Sequence, residues 1–195
     1  MELGRFRRPD LVELTTIDPT IRLDLRYATP DNLTGHPLYS ESRGFLQRPV
    51  AKALVRAHRR LARQGYGIVV WDAYRPWSVT KQLWDAAPPE KQKPEFVADP
   101  RVGSKHNRGC AVDVTLFDRR TGKEAWMPSG YDEFTDRARA DYAGGDAGSR
   151  RLRDLLRRAM EEEGFTVNDA EWWHYNHKSC RDYRILDVEF EKIGR

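Results

Sequence analysis

Long apolar runs are missing from this sequence. No stretch of its 195 residues approaches the roughly 20 apolar residues that cross a bilayer. The first eighteen residues, MELGRFRRPDLVELTTID, lack the apolar core of a secretory leader. Cysteine is nearly missing as well. Cys110 and Cys180 stand far apart, which offers neither a disulfide framework nor a CxxC metal or redox site. These absences set the expectation of a soluble cytoplasmic chain with reduced thiols and no membrane partner, with a mature form whose leader is already removed left open. Internal repeats, low-complexity segments and a compositional break are also lacking, so residues 1–195 read as one domain.

A strong excess of one charge is absent too. Thirty-four basic residues face 30 acidic ones, for a net charge of +4. The isoelectric point near 9.1 permits a nucleic-acid partner. However, the basic runs RAHRRLAR and RRLRDLLRR carry apolar residues at helical intervals and read as solvated faces of amphipathic helices. No nucleic-acid-binding motif accompanies them, so no such partner is expected.

What the chain does have is aromatic. Six Trp, eight Tyr and seven Phe stand within a 39% hydrophobic composition, enough for one core. TIRLDLRYA alternates Ile21, Leu23 and Leu25 with charged residues, as a half-buried strand does. RPVAKALVRAHRRLARQGYG reads as a helix with Pro49 in its first turn, Gly65 at its end, and Val50, Ala53, Leu54, Ala57 and Leu61 as its buried stripe. His58 on that helix is expected at the solvated surface. GIVVWDAYRP reads as a buried strand and SVTKQLWDAA as a short helix. Lys91–Gly103 reads as a loop long enough to be a lid. CAVDVTLFD is a strand followed by a tight turn at RRTGK. SRRLRDLLRRAMEEEGF is a helix with Ser149 as candidate N-cap and Gly164 beyond its end. EWWHYN and YRILDVEF close the chain as strands. Because strands and helices do not alternate regularly, an α+β fold is expected, an antiparallel sheet with packed helices.

The stretch SKHNRGCAVD carries the chemical question. Strand alternation puts Val112, Val114 and Leu116 on a core face and Asp113 on the other. Gly109 lets the preceding loop turn tightly, so His106 can fold back over the face of Asp113. Imidazole nitrogen and carboxylate oxygen are both zinc donors, and a catalytic zinc takes three protein ligands. The third donor is open among His36, His58, His174 and His177. Cys110 reads as a small buried thiol, and Asp118 and Asp182 as turn residues. AEWWHYNH surrounds His174 with the most informative neighbours, but Glu171 and His174 would face opposite sides of a regular strand. Both reach one site only if Glu171 lies before the strand or at a bulge. Otherwise Glu171 is a strand-edge charge and His174 a histidine at the core boundary.

Several motifs in order now carry a resemblance. SKHNRGCAVDVTL resembles the SxHxxGxAxD motif of the D-Ala-D-Ala dipeptidases and their zinc D,D-peptidase relatives, and EWWHY resembles their ExxH segment. LDLRYATPDNLTG, WDAYRP and MPSGYDEF are similar to further segments of that family, in the same order, over about residues 21–175. The resemblance implies a single-domain D,D-peptidase fold with one zinc per chain, held by His106, Asp113 and His174. It implies Glu171 as general base and acid, and Arg75 as the cation facing the oxyanion. It further implies that Asp132 receives the ammonium of a small free dipeptide and that Tyr27 and Ser104 line the pocket. Read without the resemblance, Asp132 is a loop-capping aspartate before Glu133 and Phe134. The family branch is connected with vancomycin resistance and D-Ala-D-Ala recycling. Three rivals stand beside a dipeptidase: a D,D- or L,D-carboxypeptidase on peptidoglycan stems, a zinc-stabilised binding module without turnover, and, on isoelectric point alone, a nucleic-acid binder.

Overall fold

The computed structural model describes every residue except 1, 3, 93–96, 134 and 195. The chain opens with β1 (Leu11–Glu13) and the short α1 (Leu14–Ile17), then β2 (Arg22–Leu23) and β3 (Phe45–Gln47). α2 (Arg48–Ala62), β4 (Tyr66–Asp72) and α3 (Trp77–Ala86) follow. The second half supplies β5 (Ala111–Asp118), α4 (Ala147–Glu161), β6 (Phe165–Asn168) and β7 (Glu171–His177). β1 and β3 form a two-stranded antiparallel ribbon. The main sheet runs β2-β4-β5-β7-β6, antiparallel throughout except for the parallel pair β2–β4. The α+β architecture expected from the sequence is the one observed.

β5 lies in the middle of the sheet and is buried on both faces. Its Val112, Val114 and Leu116 are wholly inaccessible and face the core formed with α2 and α4. Each such side chain contributes roughly 1.5–3 kcal/mol through its burial. α2 forms because its apolar residues recur at helical spacing and Pro49 occupies its first turn, where no N–H is needed. Its arginines are not simply solvated. Arg56 and Arg60 pair with Glu163, and Arg60 also pairs with Glu162, which stitches α2 to the end of α4.

Several local expectations are corrected. The alternating TIRLDLRYA segment pairs as a strand only at Arg22–Leu23, although Ile21 and Leu25 are buried as the pattern implies. YRILDVEF is no strand. Its backbone bonds instead to loops and side chains, Leu186 N–H to Asn107 and Val188 N–H to the Tyr74 hydroxyl. β6 went unread because four residues carry too little periodicity. The N-cap of α4 is Asp146, whose carboxylate accepts the Ser149 N–H, rather than Ser149 itself.

His58 is not at the surface; only 1% of it is accessible. Its Nδ1 accepts the Ile68 N–H at 3.0 Å, so Nε2 carries the proton toward the Thr20 hydroxyl at 3.0 Å. Burial pushes its pKa below the ordinary histidine value, with Arg119 and Arg59 adding to the effect against Asp18. The ring thus satisfies the backbone at the start of β4, which a surface histidine would not do.

The reduced thiols expected from the sequence are also overturned. Cys110 and Cys180 form a disulfide with Cα atoms 5.3 Å apart. Cys110 immediately precedes β5 and Cys180 follows β7, and these strands pair, so the sheet brings together two residues 70 apart in sequence.

Candidate active site

Two breaks in strand regularity build the site. Between β4 and β5 the register shifts, with Val70 opposite Val114 but Asp72 opposite Asp113. Between β6 and β7, Val167 lies opposite Tyr175 while the next residue, Asn168, lies opposite Glu171. One step along β6 therefore spans four along β7, and Trp172, Trp173 and His174 bulge. A bulge re-aims side chains that strict alternation would separate. Here it puts Glu171 Oε2 3.9 Å from His174 Nδ1.

His106 comes from the turn before β5, a single 3-10 turn over His106–Arg108 that ends at Gly109 with φ +65°. A Cβ there would press on the end of the Leu11 side chain at 2.6 Å, so the left-handed backbone requires glycine and the close approach favours it. Asp113 and His174 are directly opposed on β5 and β7. One donor atom from each of His106, Asp113 and His174 lies within 4.8 Å of the others, the one such group among the described residues. His106 Nε2 is 3.1 Å from His174 Nδ1 and 3.3 Å from Asp113 Oδ1, and His174 Nδ1 is 3.0 Å from the same oxygen.

The partners of the outer ring atoms fix what this triangle offers. His106 Nδ1 faces the Ala73 carbonyl at 2.7 Å, an acceptor only, so that nitrogen carries the proton. His174 Nε2 faces Asn176 Oδ1 at 3.1 Å and likewise donates. Asp113 Oδ2 accepts the Tyr131 hydroxyl at 3.0 Å. With the outer atoms committed, lone pairs of two imidazoles and one carboxylate converge on one point. Ligand bonds of about 2.0–2.2 Å at tetrahedral angles separate donors by roughly 3.3–3.6 Å, near the spacing found here. The residues therefore fit a divalent cation with a fourth position open. The pull on positive charge shows in the protein itself. Burial opposes a charge on His174, yet its hydrogen bond to Asp113 raises its pKa. Burial likewise opposes the Asp113 charge, but His106 and His174 hold its carboxyl far below the ordinary range.

Around the triangle lies a cavity of about 310 Å³ lined by Tyr27, Arg75, Ser104, Asp132 and Glu171, as well as the three candidate ligands. All eight residues singled out from the sequence are thus brought together. Arg75 is buried. Its Nε and Nη2 bind Asp72 Oδ2 at 3.0 and 2.7 Å, and its guanidinium lies 4.7 Å from the Tyr27 ring centre. Tyr39 secures the other Asp72 oxygen at 2.5 Å, so this cation is fixed in place. Ser104 Oγ accepts the His106 N–H at 3.2 Å and braces the turn. Asp132 has φ +52° and sits 3.4 Å from the Tyr27 hydroxyl. Burial, then the Asp113 and Glu171 carboxylates, push its pKa up to about 8. Burial raises Glu171 as well.

Sequence reasoning missed Asp72, Tyr131, Asn168 and Asn176. Asp72 and Tyr131 stood inside WDAYRP and MPSGYDEF, so their motifs were the available signal. Tyr131 is seated by an aromatic bed of Trp71 and Trp173, at 5.1 and 5.7 Å between ring centres. His177 faces away from the site, against Phe165, and His36 is exposed. Val97, Ala98 and Gly103 of the expected lid line the cavity. Residues 93–96 of that lid and Phe134 of MPSGYDEF lie outside the described residues.

Comparison with known proteins shows the family. A family model for D-ala-D-ala dipeptidase matches residues 7–190. The chain is 35% identical over 181 residues to a D-alanyl-D-alanine dipeptidase of Escherichia coli, covering 93% of this chain and 91% of that protein. It is 34% identical over 171 residues to a D-alanyl-D-alanine dipeptidase of Enterococcus faecium, covering 80% and 85%. Among solved structures, the LdcB LD-carboxypeptidase aligns with a TM-score of 0.54 at 18% identity over 96% of this chain and 80% of that one, a likeness of fold alone. With the family model matched over residues 7–190 and 35% identity over 93% of its length, this chain belongs to the D-Ala-D-Ala dipeptidase family of peptidases.

Proposed function

We propose that the protein is a zinc dipeptidase that hydrolyses D-alanyl-D-alanine to two D-alanines, with His106, Asp113 and His174 as the ligands of one zinc per chain. The observation that carries this reading is the convergence of three lone-pair donors beside a half-buried glutamate, in a cavity that also holds a fixed guanidinium and a second carboxylate. Bound in this cage, zinc would supply Lewis acidity to a peptide carbonyl and acidify water.

The protein's own groups supply the rest. Glu171 takes the proton of the attacking water and returns it to the departing amine. Arg75, held by Asp72, presents a fixed positive charge to the oxyanion, where preorganisation in a closed site counts most. Asp132, with Tyr27 beside it, pairs with the free ammonium of the dipeptide. A substrate with an acylated amine would leave that carboxylate buried and unpaired, which selects against long peptidoglycan stems. The cavity is at the small end of ligand pockets, in keeping with a dipeptide. The cytoplasm remains the compartment expected from the sequence, beside a disulfide of a kind that persists mainly where thiols are oxidised. Thiol labelling of acid-quenched cells that make the protein decides between them: free thiols keep it in the cytoplasm, a bridged pair places it where thiols are oxidised.

The test of the activity is release of D-alanine by zinc-loaded protein. D-Ala-D-Ala is expected to turn over, L-Ala-L-Ala and N-acetyl-D-Ala-D-Ala are not, and Glu171→Ala is expected to abolish turnover. Hydrolysis of the acetylated dipeptide would make the protein a carboxypeptidase. No turnover with zinc bound would make it a binding module.

A further inference from the structure

Glu171 does not stand alone at the bulge. Asn168, the last residue of β6, donates from Nδ2 to Glu171 Oε2 at 2.9 Å. That oxygen is also the one 3.9 Å from His174 Nδ1, on the side of the candidate metal cage. The amide is itself held. Asn168 Oδ1 accepts the Ala170 N–H at 3.3 Å, closing an Asx turn that fixes which way Nδ2 points. Asn168 also lines the same cavity as Glu171 and Asp132.

From this geometry we infer that Asn168 is the positioning residue of the general base: its amide holds the Glu171 carboxylate so that Oε2 is presented to the metal side of the cavity. The inference rests on the hydrolase reading above. Its physical content is orientational. A glutamate has a broad terminal torsion, and a carboxylate at the edge of a bulge is free to rotate about it. One neutral donor on one oxygen removes that freedom and leaves the remaining lone pair of Oε2 for a water proton. The donation also favours the ionised carboxylate against the burial that opposes it. Asparagine suits both tasks, since one end of its side chain closes the turn while the other reaches Glu171. Aspartate can do only the first.

That division supplies the test. Asn168→Asp keeps the acceptor that closes the turn but loses the donor and adds like charge. Asn168→Ala loses both. Both variants are expected to lower kcat for D-Ala-D-Ala by about 10–100-fold, the range for outer residues that orient a catalytic group. KM is expected to stay within about twofold, with bound zinc at the wild-type level. Crystals of Asn168→Ala are expected to show the Glu171 carboxylate rotated, with the His106–Asp113–His174 triangle unmoved. An Asn168→Asp variant as active as wild type would reduce Asn168 to a turn former and overturn the inference. So would a raised KM at unchanged kcat, which would make it a substrate contact, or loss of zinc, which would make it a brace for the cage. Those outcomes leave the hydrolase reading intact. Absence of turnover in the zinc-loaded wild type would overturn both.

Discussion

Asn176 acts on the site through one atom. Its Oδ1 holds the Nε2–H of His174, and so keeps the Nδ1 lone pair directed at Asp113 and His106. Asn176→Ala is expected to weaken zinc binding by about 10–100-fold, read by competition with a chromophoric chelator. A value unchanged from wild type would show that strand pairing alone orients the ring. His58 offers a test of another kind, away from the cage. Burial lowers its pKa in the folded protein below the value near 6.5 of an unfolded chain. The unfolded chain therefore takes up the proton first as pH falls. The contribution of a neutral His58 is full above about pH 6.5 and is lost as pH drops below it toward the folded pKa. His177 is lowered as well, burial first and Lys178 second, and adds a slope of the same sign. His58→Gln is expected to flatten part of the fall in Tm between about pH 7 and 5, relative to wild type, leaving the His177 share. An unchanged slope would refute this account of His58.

At the scale of elements, Gly109 joins a turn to a strand. Its left-handed φ, and the 2.6 Å approach of a Cβ to Leu11, predict that Gly109→Ala destabilises by about 1–2 kcal/mol and displaces His106. Urea unfolding and zinc content measure the two effects separately, and an alanine variant of wild-type stability would sink the argument. The elements also show what a sequence can disclose. α2, α4 and β5 were legible because each has a periodic apolar face long enough to be distinct, and β4 because its short continuous apolar run reads as a buried strand. The conflict of parity between Glu171 and His174 was legible too, and it marked the place where β7 bulges. The segment YRILDVEF alternates like a strand, yet its hydrogen bonds go to Asn107 and Tyr74, partners that only the folded chain supplies. His58 was misread because its neighbours in sequence are arginines, whereas at helical spacing it stands beside Leu54, Val55 and Leu61, and its partner Ile68 belongs to the next strand. Asn168 and Asn176 were illegible for a similar reason. Each works through a neighbour whose role must be known first.

For the whole molecule, a metal held in this cage would tie stability to its occupancy. Zinc bound only by the folded state raises stability by about 2.7 kcal/mol at 100 times its dissociation constant. Chelation is therefore expected to lower Tm and abolish turnover together, and restored zinc to return both. A Tm indifferent to chelator would place the cage outside the folding unit. The disulfide has a different consequence. Joining Cys110 to Cys180 makes the chain between them a covalent ring, in which Asp113, Asp132, Glu171 and His174 travel. Tyr27, Arg75, Ser104 and His106 belong to the tail that enters this ring. The pocket is thus assembled where a macrocycle meets its own tail. A protease that cuts the exposed turn at Arg119–Thr121 would linearise the ring without releasing any part of the pocket, so the nicked protein would run as one species until its disulfide was reduced.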